Sequence, residues 1–216
     1  MQEIIRDKSD HVIQQFRWES DDFRVVLSRG ANVKFCGVVD NSNISITFDV
    51  CEENTLAECY FFIQGKNNQK ISLRLQTNFF ASNAKMLLYV IALSADNAKI
   101  SLDWNIHIDS WIDSIETRLY EESLLLGNSQ YISMIPWLKV ESPDVIASHG
   151  AKVQRISPEN LFYMQSRGLS EEKAVQMLVN SYSEFIVEKM DLTEREKEKF
   201  YCWVKTQPID WTFEPE

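Results

Sequence analysis

The chain has few of the residues on which common catalytic sites depend. Its 216 residues include only six glycines and five prolines, and they form no P-loop and no G-x-G-x-x-G phosphate-binding turn. No nucleophile paired with a general base and no clustered set of metal ligands stands out in the sequence either. Intrinsic ATPase activity and covalent catalysis are therefore not expected, and the chain is predicted not to be an enzyme.

Cysteine is scarce and scattered. The four cysteines, Cys36, Cys51, Cys59 and Cys202, form no C-x-x-C pair, which is the spacing typical of zinc and redox sites. A reducing cytosol would keep them as thiols. We therefore interpret them as packing residues rather than as ligands of a zinc or Fe-S site.

Long apolar runs and an excess of basic residues are also missing. No apolar run approaches the roughly 20 residues that span a bilayer, and the first ten residues, MQEIIRDKSD, lack the apolar core of a signal peptide. The formal net charge is -10, whereas nucleic acids and anionic membranes are bound by concentrated basic surfaces. The sequence predicts a cytoplasmic protein that binds neither, and its hydrophobic fraction of 44% predicts a folded one.

Short apolar stretches succeed one another from Phe23 to Val140, and many alternate with the period of two that is typical of strands. They are FRVVLS, NVKFCGVV, NISITFDV, AECYFFIQG, KISLRLQT, KMLLYVIALS, KISLDWNIHI, SIETRLYEES and YISMIPWLKV. Polar turns separate them, several with an asparagine that tolerates a left-handed backbone. This pattern fits an antiparallel sandwich or barrel, and it fits a parallel β-helix equally well. Periodicity alone does not separate the two.

Two stretches within this region hold candidate features. In KISLDWNIHID, apolar residues alternate with polar ones, so His107 lies among acids on the polar face. We interpret it as a solvent-face histidine rather than a metal ligand, because no second histidine or cysteine follows at ligand spacing. The aromatic run Tyr60, Phe61 and Phe62 is predicted to serve the core and stacking between rungs.

The C-terminal part of the chain predicts helices. Ser157, Pro158 and Glu159 provide an N-cap, a first-turn proline and an acid at the positive end of a helix. Gly168 stands where a left-handed residue would end that helix, and Ser170 caps a second one. The second helix has an apolar face at three-and-four spacing, comprising Ala174, Val175, Leu178, Val179, Tyr182, Phe185 and Ile186.

A third helix is predicted from the capping box Thr193-x-x-Glu196 and from apolar residues at Phe200, Tyr201 and Val204. The tail at 207–216 is interpreted as an irregular strap. At the other end, residues 1–20 form a short polar segment that could be helical, and His11 within it is interpreted as a solvated side chain.

The runs SHGAKV and ISPENLFYMQSRGLSEEKA together resemble the C-terminal signature of the SufB/SufD family of iron-sulfur cluster assembly proteins. The resemblance is best over residues 120–187. It implies a mainly β fold, namely a right-handed parallel β-helix of few rungs with a C-terminal α-helical region. We accordingly expect a short N-terminal segment at 1–20, a β-helix core at 21–153 and a helical region at 154–216. The chain is expected to be a shortened member of the family.

The resemblance also implies candidate ligands. SufB-like members carry a cysteine shortly before a Leu-Leu run, and the matching residue here is Glu121. SufD-like members instead carry a histidine in Ser-His-Gly-Ala, which matches His149. The chain is SufD-like in both respects, so His149 and, less so, Glu121 are candidate ligands of iron or of a transient Fe-S cluster; no intrinsic cofactor is expected. A structural histidine in a tight turn at Gly150 is the alternative.

The family further implies two partners. In the family the C-terminal helical region is where the SufC ATPase docks, which makes six residues docking candidates: Leu161, Phe162, Tyr163, Arg167, Gly168 and Leu169. Packing between helices is the alternative, favoured for Leu161 and Phe162. A SufB-like or identical β-helix subunit would pair with the open edges of the last rungs. The expected function is a SufD-like, non-catalytic scaffold in Fe-S cluster assembly.

Two other functions remain open. One is a stand-alone β-sandwich module that binds a protein or carbohydrate, with the helices as an accessory. The other is a β-helix enzyme acting on polysaccharide, which would need Asp and Arg clustered on one rung face. No such cluster is found in the sequence.

Overall fold

The structure is a computed structural model that describes residues 2–6, 10–17, 20–28, 30–126 and 131–205. The expected strap at 207–216 and the solvated side chain expected at His11 lie outside what it describes. Within the described ranges, no helix has the length and apolar character needed to cross a membrane.

The described part of the chain forms strands first and helices afterwards. The strands are β1 Gln2–Arg6, β2 Asp10–Arg17, β3 Ser20–Leu27, β4 Asn32–Asp40, β5 Asn43–Val50, β6 Leu56–Gly65, β7 Lys70–Phe79, β8 Ala84–Ala95, β9 Lys99–Ile108, β10 Ile115–Leu126, β11 Tyr131–Val140 and β12 Val145–Arg155. The helices are α1 Pro158–Ser166, α2 Glu171–Met190 and α3 Glu194–Lys205.

The strands alternate between two six-stranded sheets. The first sheet has the order β1-β3-β5-β7-β9-β11 and the second the order β12-β10-β8-β6-β4-β2. Each strand therefore pairs with the strand two places along the chain, and the pairing is parallel throughout both sheets. This topology is a parallel β-helix, as predicted. The β-sandwich alternative is wrong, because a sandwich is built from antiparallel strands.

Because the strands pair in parallel register, similar side chains from successive rungs stack on one another inside the solenoid. Ile71, Ile100 and Ile132 are partners along the first sheet, one residue in each of three successive strands. Such inward columns from both sheets form one continuous buried core. Left-handed residues at the corners confirm the predicted role of asparagine: Asn41, Asn54, Asn67 and Asn83 all have positive φ.

A second apolar layer, here called the outer cluster, lies between the second sheet and the helices. It joins outward residues of β4, β6, β8 and β10 to α2, α3 and the loop between them. The rings of Phe62 and Phe200 lie 5.9 Å apart, as do those of Tyr89 and Phe185. The predicted face of α2 is confirmed, with Ala174 fully buried. The helices therefore cover the side of the solenoid rather than extending its end.

The predicted helix ends are confirmed. The Ser157 hydroxyl accepts a hydrogen bond from the backbone N–H of Asn160, and the Ser170 hydroxyl accepts one from Lys173 N–H. Gly168 follows α1 with a φ of 89°. At the start of α3, the Thr193 N–H donates to Glu196 Oε2 at 2.8 Å and the Glu196 N–H donates to Thr193 Oγ1 at 3.4 Å, which are the two hydrogen bonds of the expected capping box.

Two segments differ from the sequence-based expectation. Residues 1–20, whose sequence is compatible with a helix, instead contain strands β1 and β2, which add one strand to each sheet. The Ser-His-Gly-Ala segment is not a turn: Ser148, His149, Gly150 and Ala151 lie within β12, hydrogen-bonded in parallel register to β10. Pairing to a neighbouring strand overrides the weak local preferences of both segments.

Candidate functional site

The solenoid ends in a rung, here called the last rung, made of β11 in the first sheet and β12 in the second. Within the described residues each of these strands pairs with one neighbour only, β9 and β10 respectively. Their outer edges thus carry backbone N–H and C=O groups that have no strand partner in the described part of the chain. Such edges are templates for pairing with another chain.

His149 lies on the inner face of the last rung. Its register partner on β10 is Leu119, which is buried in the core and stacks in turn on Leu88 of β8. Lys152 lies on the opposite face, where its Nζ contacts Glu122 Oε1 at 3.0 Å. Since side chains alternate along a strand, His149 faces the interior of the solenoid. It is exposed because it belongs to the last described rung of its sheet.

Glu121 lies on the same inner face, one rung deeper. Its register partners are Val90 and Ala151, and the residue is 3% exposed. Its Oε2 atom has no hydrogen-bond partner among the described residues. Burial, reinforced by the negative charge of Asp103, raises the pKa of the Glu121 carboxyl to about 7. At neutral pH this carboxyl can therefore hold or release a proton.

The two ligand candidates are diagonal neighbours. Glu121 lies opposite Ala151, two residues along β12 from His149, which places their Cα atoms about 8 Å apart from strand spacing and rise. The structure thus brings both candidates to one inner surface of the last two rungs of the second sheet. Residues 115–155, which form these rungs, contain no cysteine. No thiolate donor is therefore available there, and the sulfur of Met134 is a thioether.

The outer faces near this end carry exposed aromatic rings. Trp137 and Tyr131 on β11 are 67% and 59% exposed. On the second sheet, Tyr60, Tyr89 and Tyr120 stack in register with ring centroids 5.2 Å apart at each step. The next register position is Gly150, so the stack stops one strand short of the edge.

Helix α1 presents an exposed surface. Of its residues, all of which the structure describes, none is buried, and Phe162 is 73% exposed. The Arg167 guanidinium lies over the Tyr163 ring at 5.2 Å. Leu161 is partly buried against the outer cluster, as its packing interpretation required. For Phe162 that interpretation is wrong, because its ring projects into solvent.

The remaining sequence candidates divide between core and surface. Cys36 and Cys59 are buried, which confirms their packing role, and burial raises the pKa of the Cys36 thiol to about 12. Cys51 is partly exposed and Cys202 is exposed, so the packing interpretation fails for Cys202. His107 lies on the solvent face of β9 as predicted.

Comparison with known proteins agrees with this geometry. The model of the SufBD core domain of the SUF system for Fe-S cluster assembly matches residues 16–182. The chain belongs to the SufBD family. Its match covers the β-helix from the end of β2 onward and continues through α1 into α2.

Individual SufBD relatives match over a shorter stretch. An iron-sulfur cluster assembly SufBD family protein of Staphylococcus saprophyticus is 30% identical over 104 residues. The cluster assembly protein SufB of Bacillus subtilis is 27% identical, and a SufBD family protein of Staphylococcus aureus is 29% identical, over the same length. Each match covers 48% of this chain and 22% of the relative.

Sequence reasoning missed two features of this end of the solenoid. It did not identify β12 as a strand. It also did not associate Glu141 with His107, although His107 lies in β9 and Glu141 directly follows the neighbouring strand β11. An exposed tryptophan in an otherwise alternating strand, Trp137 in β11, was the available sign that this strand has an uncovered outer face.

Proposed function

We propose that the chain is a SufD-like, non-catalytic scaffold that works in the cytoplasm in Fe-S cluster assembly. Three parts of the molecule have separate roles in this proposal. The last rung pairs with a second β-helix subunit, His149 contacts the nascent cluster as cargo, and the C-terminal helices dock a SufC ATPase. The observation that carries the proposal is the open last rung, with His149 on its inner face.

Pairing is supported by what the last rung exposes. β11 and β12 offer backbone edges without a strand partner among the described residues, and Ile135, Ile146 and Val153 on these strands are substantially exposed. A parallel solenoid buries such surface by adding another rung or another subunit. We propose a SufB-like or identical β-helix subunit as the occupant. It would cover His149 and seal the space above Glu121.

The ligand role of His149 follows from this pairing. A neutral imidazole can bind iron beside sulfur donors, and the inner face of the last rung directs the ring toward the seam between subunits. Because residues 115–155 contain no cysteine, any thiolate donors would come from the partner subunit. Glu121 is the second candidate; a nearby cation would favour its ionised form and so oppose the effect of its burial.

The docking surface for SufC is the exposed side of α1 and the turn after it. Phe162 and Tyr163 provide apolar area, and Arg167 adds a charge at the C-terminal end of the helix. Gly168 and Leu169 form the turn into α2. Aromatic and arginine side chains are enriched at the energetic centres of interfaces, which supports α1 over the more acidic surface of α2.

Surface substitutions on α1 test the docking role. Deleting residues 157–216 would uncover the outer cluster, so the paired substitution of Phe162 and Tyr163 by alanine is the cleaner change. We expect the variant to lose co-purification with the SufC ATPase of the same organism. Met177→Ala, which alters an exposed residue of α2, should keep it. Retention of SufC by the α1 variant would place docking elsewhere.

The cargo role is tested by anaerobic reconstitution with iron and sulfide in the presence of the pairing subunit. His149→Ala should lose visible absorbance of the cluster, whereas His107→Ala, on the outer face of the first sheet, should retain it. If His149→Ala gives an unchanged spectrum, His149 is not a ligand of the cluster.

A further inference from the structure

A group of three ligand-type side chains lies on the outer face of the first sheet, away from His149. His107 is near the end of β9, Asp109 directly follows β9, and Glu141 directly follows β11. One nitrogen or oxygen atom from each residue lies within 4.8 Å of the others. This group is here called the β9–β11 triad.

Parallel register builds the triad. Lys139 of β11 is the partner of His107 and Val140 is the partner of Ile108. The ladder continues beyond the strand, since Glu141 N–H donates to the Ile108 carbonyl at 2.9 Å. Glu141 is thereby held beside Asp109. Local sequence spacing could not show this, because residues about 30 apart become neighbours only when successive rungs stack.

The spacing of the triad suits a small divalent cation. His107 Nε2 and Asp109 Oδ1 lie 3.2 Å apart. Two ligand atoms of a tetrahedral zinc-type site, with bonds of about 2.1 Å, lie about 3.4 Å apart. The donor oxygen of Glu141 lies within 4.8 Å of the other two donor atoms. Glu141 is exposed, so a rotation of its side chain brings this oxygen to coordination distance from the same ion.

A cationic side chain already occupies this position. Lys139 Nζ lies 3.0 Å from Glu141 Oε1 and 3.4 Å from His107 Nε2. The lysine side chain is 61% exposed, so it can swing away into solvent. Its ammonium group therefore contacts two of the three donors that a metal ion would use, and a metal would have to displace it.

We propose that the β9–β11 triad is a binding site for a divalent first-row transition metal of the zinc, cobalt or ferrous iron class. One imidazole and two carboxylates form a mixed nitrogen and oxygen set, which suits these ions better than soft, thiolate-seeking ones. The ion enters as Lys139 leaves, and the remaining coordination positions are filled by water. The proposal does not depend on the scaffold function.

Titration of the metal-free chain with Co²⁺ tests the site. Bound Co²⁺ should give visible d–d absorption at one equivalent, without the near-ultraviolet band of cobalt-thiolate bonds that the exposed Cys202 would produce. His107→Ala and Glu141→Gln should each abolish the band. Lys139→Ala should tighten binding about fivefold or more, because it removes a competing unit charge at about 4 Å, while Lys139→Arg should not.

His149→Ala serves as the matched control, because it removes the other histidine with a proposed ligand role and should leave the cobalt band unchanged. All of these residues are at least partly exposed, so circular dichroism should report an intact fold in each variant. A band that survives His107→Ala would mean an adventitious ion only. Absence of binding by the wild-type chain, or a band confined to Lys139→Ala, would overturn the proposal.

Discussion

Replacing Glu121 with glutamine should stabilise the protein, and the gain should grow with pH. Glu121 is buried on the inner face of the penultimate rung of the second sheet, and its Oε2 atom has no hydrogen-bond partner among the described residues. Burial raises its pKa from 4.5 to about 7. The folded state therefore binds this proton more tightly than the unfolded state does.

The magnitude follows from the pKa difference. Between pH 4.5 and about 7 the folded state holds the proton that the unfolded state has lost, so the free energy of unfolding falls as pH rises. A rise from 4.5 to about 7 corresponds to about 3 kcal/mol once both states are ionised. Glutamine has no charge to bury. The advantage of Glu121→Gln should therefore increase by about 2 kcal/mol between pH 5 and pH 8.

Urea unfolding at pH 5, 6, 7 and 8 measures this difference in the free energy of unfolding. Thermal unfolding at pH 8 should show a Tm for Glu121→Gln that is higher than that of the wild type by about 6 °C. Glu122→Gln is the matched control: its carboxylate is on the outer face, where it accepts hydrogen bonds from Lys152 and Gln154. It should lose less than about 1 kcal/mol. A pH-independent difference between Glu121→Gln and wild type would refute the reasoning.

Three further predictions concern the fold. Gly168→Ala should lower the free energy of unfolding in urea by about 1 kcal/mol, because the backbone is left-handed there. Gly150→Ala, in a strand with open space around it, should change this free energy by less than about 0.5 kcal/mol. A large loss at Gly150 would indicate a turn instead of a strand. Phe200→Ala should cost about 3 to 5 kcal/mol, and Phe162→Ala less than about 0.5, by the same measurement; equal losses would contradict the packing of α3. Tyr89→Ala should cost about 2 to 4 kcal/mol and weaken the near-ultraviolet dichroism of the tyrosine stack; an unchanged spectrum would rule out that stack.

Eight of the nine strands from Phe23 to Val140 were predictable because they have a buried inner face, which requires alternation. The ninth, β11, was predictable because its inner residues Ile132, Met134 and Val140 are still large, apolar and partly buried. Alternation could not reveal that the strands pair in parallel, since a sandwich needs the same pattern. The resemblance to SufB and SufD resolved that ambiguity.

The same physics explains why β12 was missed. Its inner residues include Ala147, His149 and Ala151, which lie on the last described rung of the second sheet and are not buried. Without burial there is no need for large apolar residues at alternate positions, so the sequence signal of a strand is absent. The helices were easier to predict, because Ser157, Ser170 and Thr193 mark their starts through local hydrogen bonds.

The candidate site was only partly predictable for a related reason. His149 and Glu121 could each be matched to the family, but their shared inner surface depends on the register between β10 and β12. The β9–β11 triad likewise depends on register, because Glu141 reaches His107 only when one rung stacks on another. Local spacing contains no information on either arrangement.

Sedimentation velocity of the chain mixed with a SufC ATPase and a SufB-like subunit tests the central claim most directly. The scaffold account predicts one faster-sedimenting complex containing all three proteins, with SufC lost from it when Phe162 and Tyr163 are replaced by alanine. If the chain sediments alone, apart from both partners, the account is contradicted.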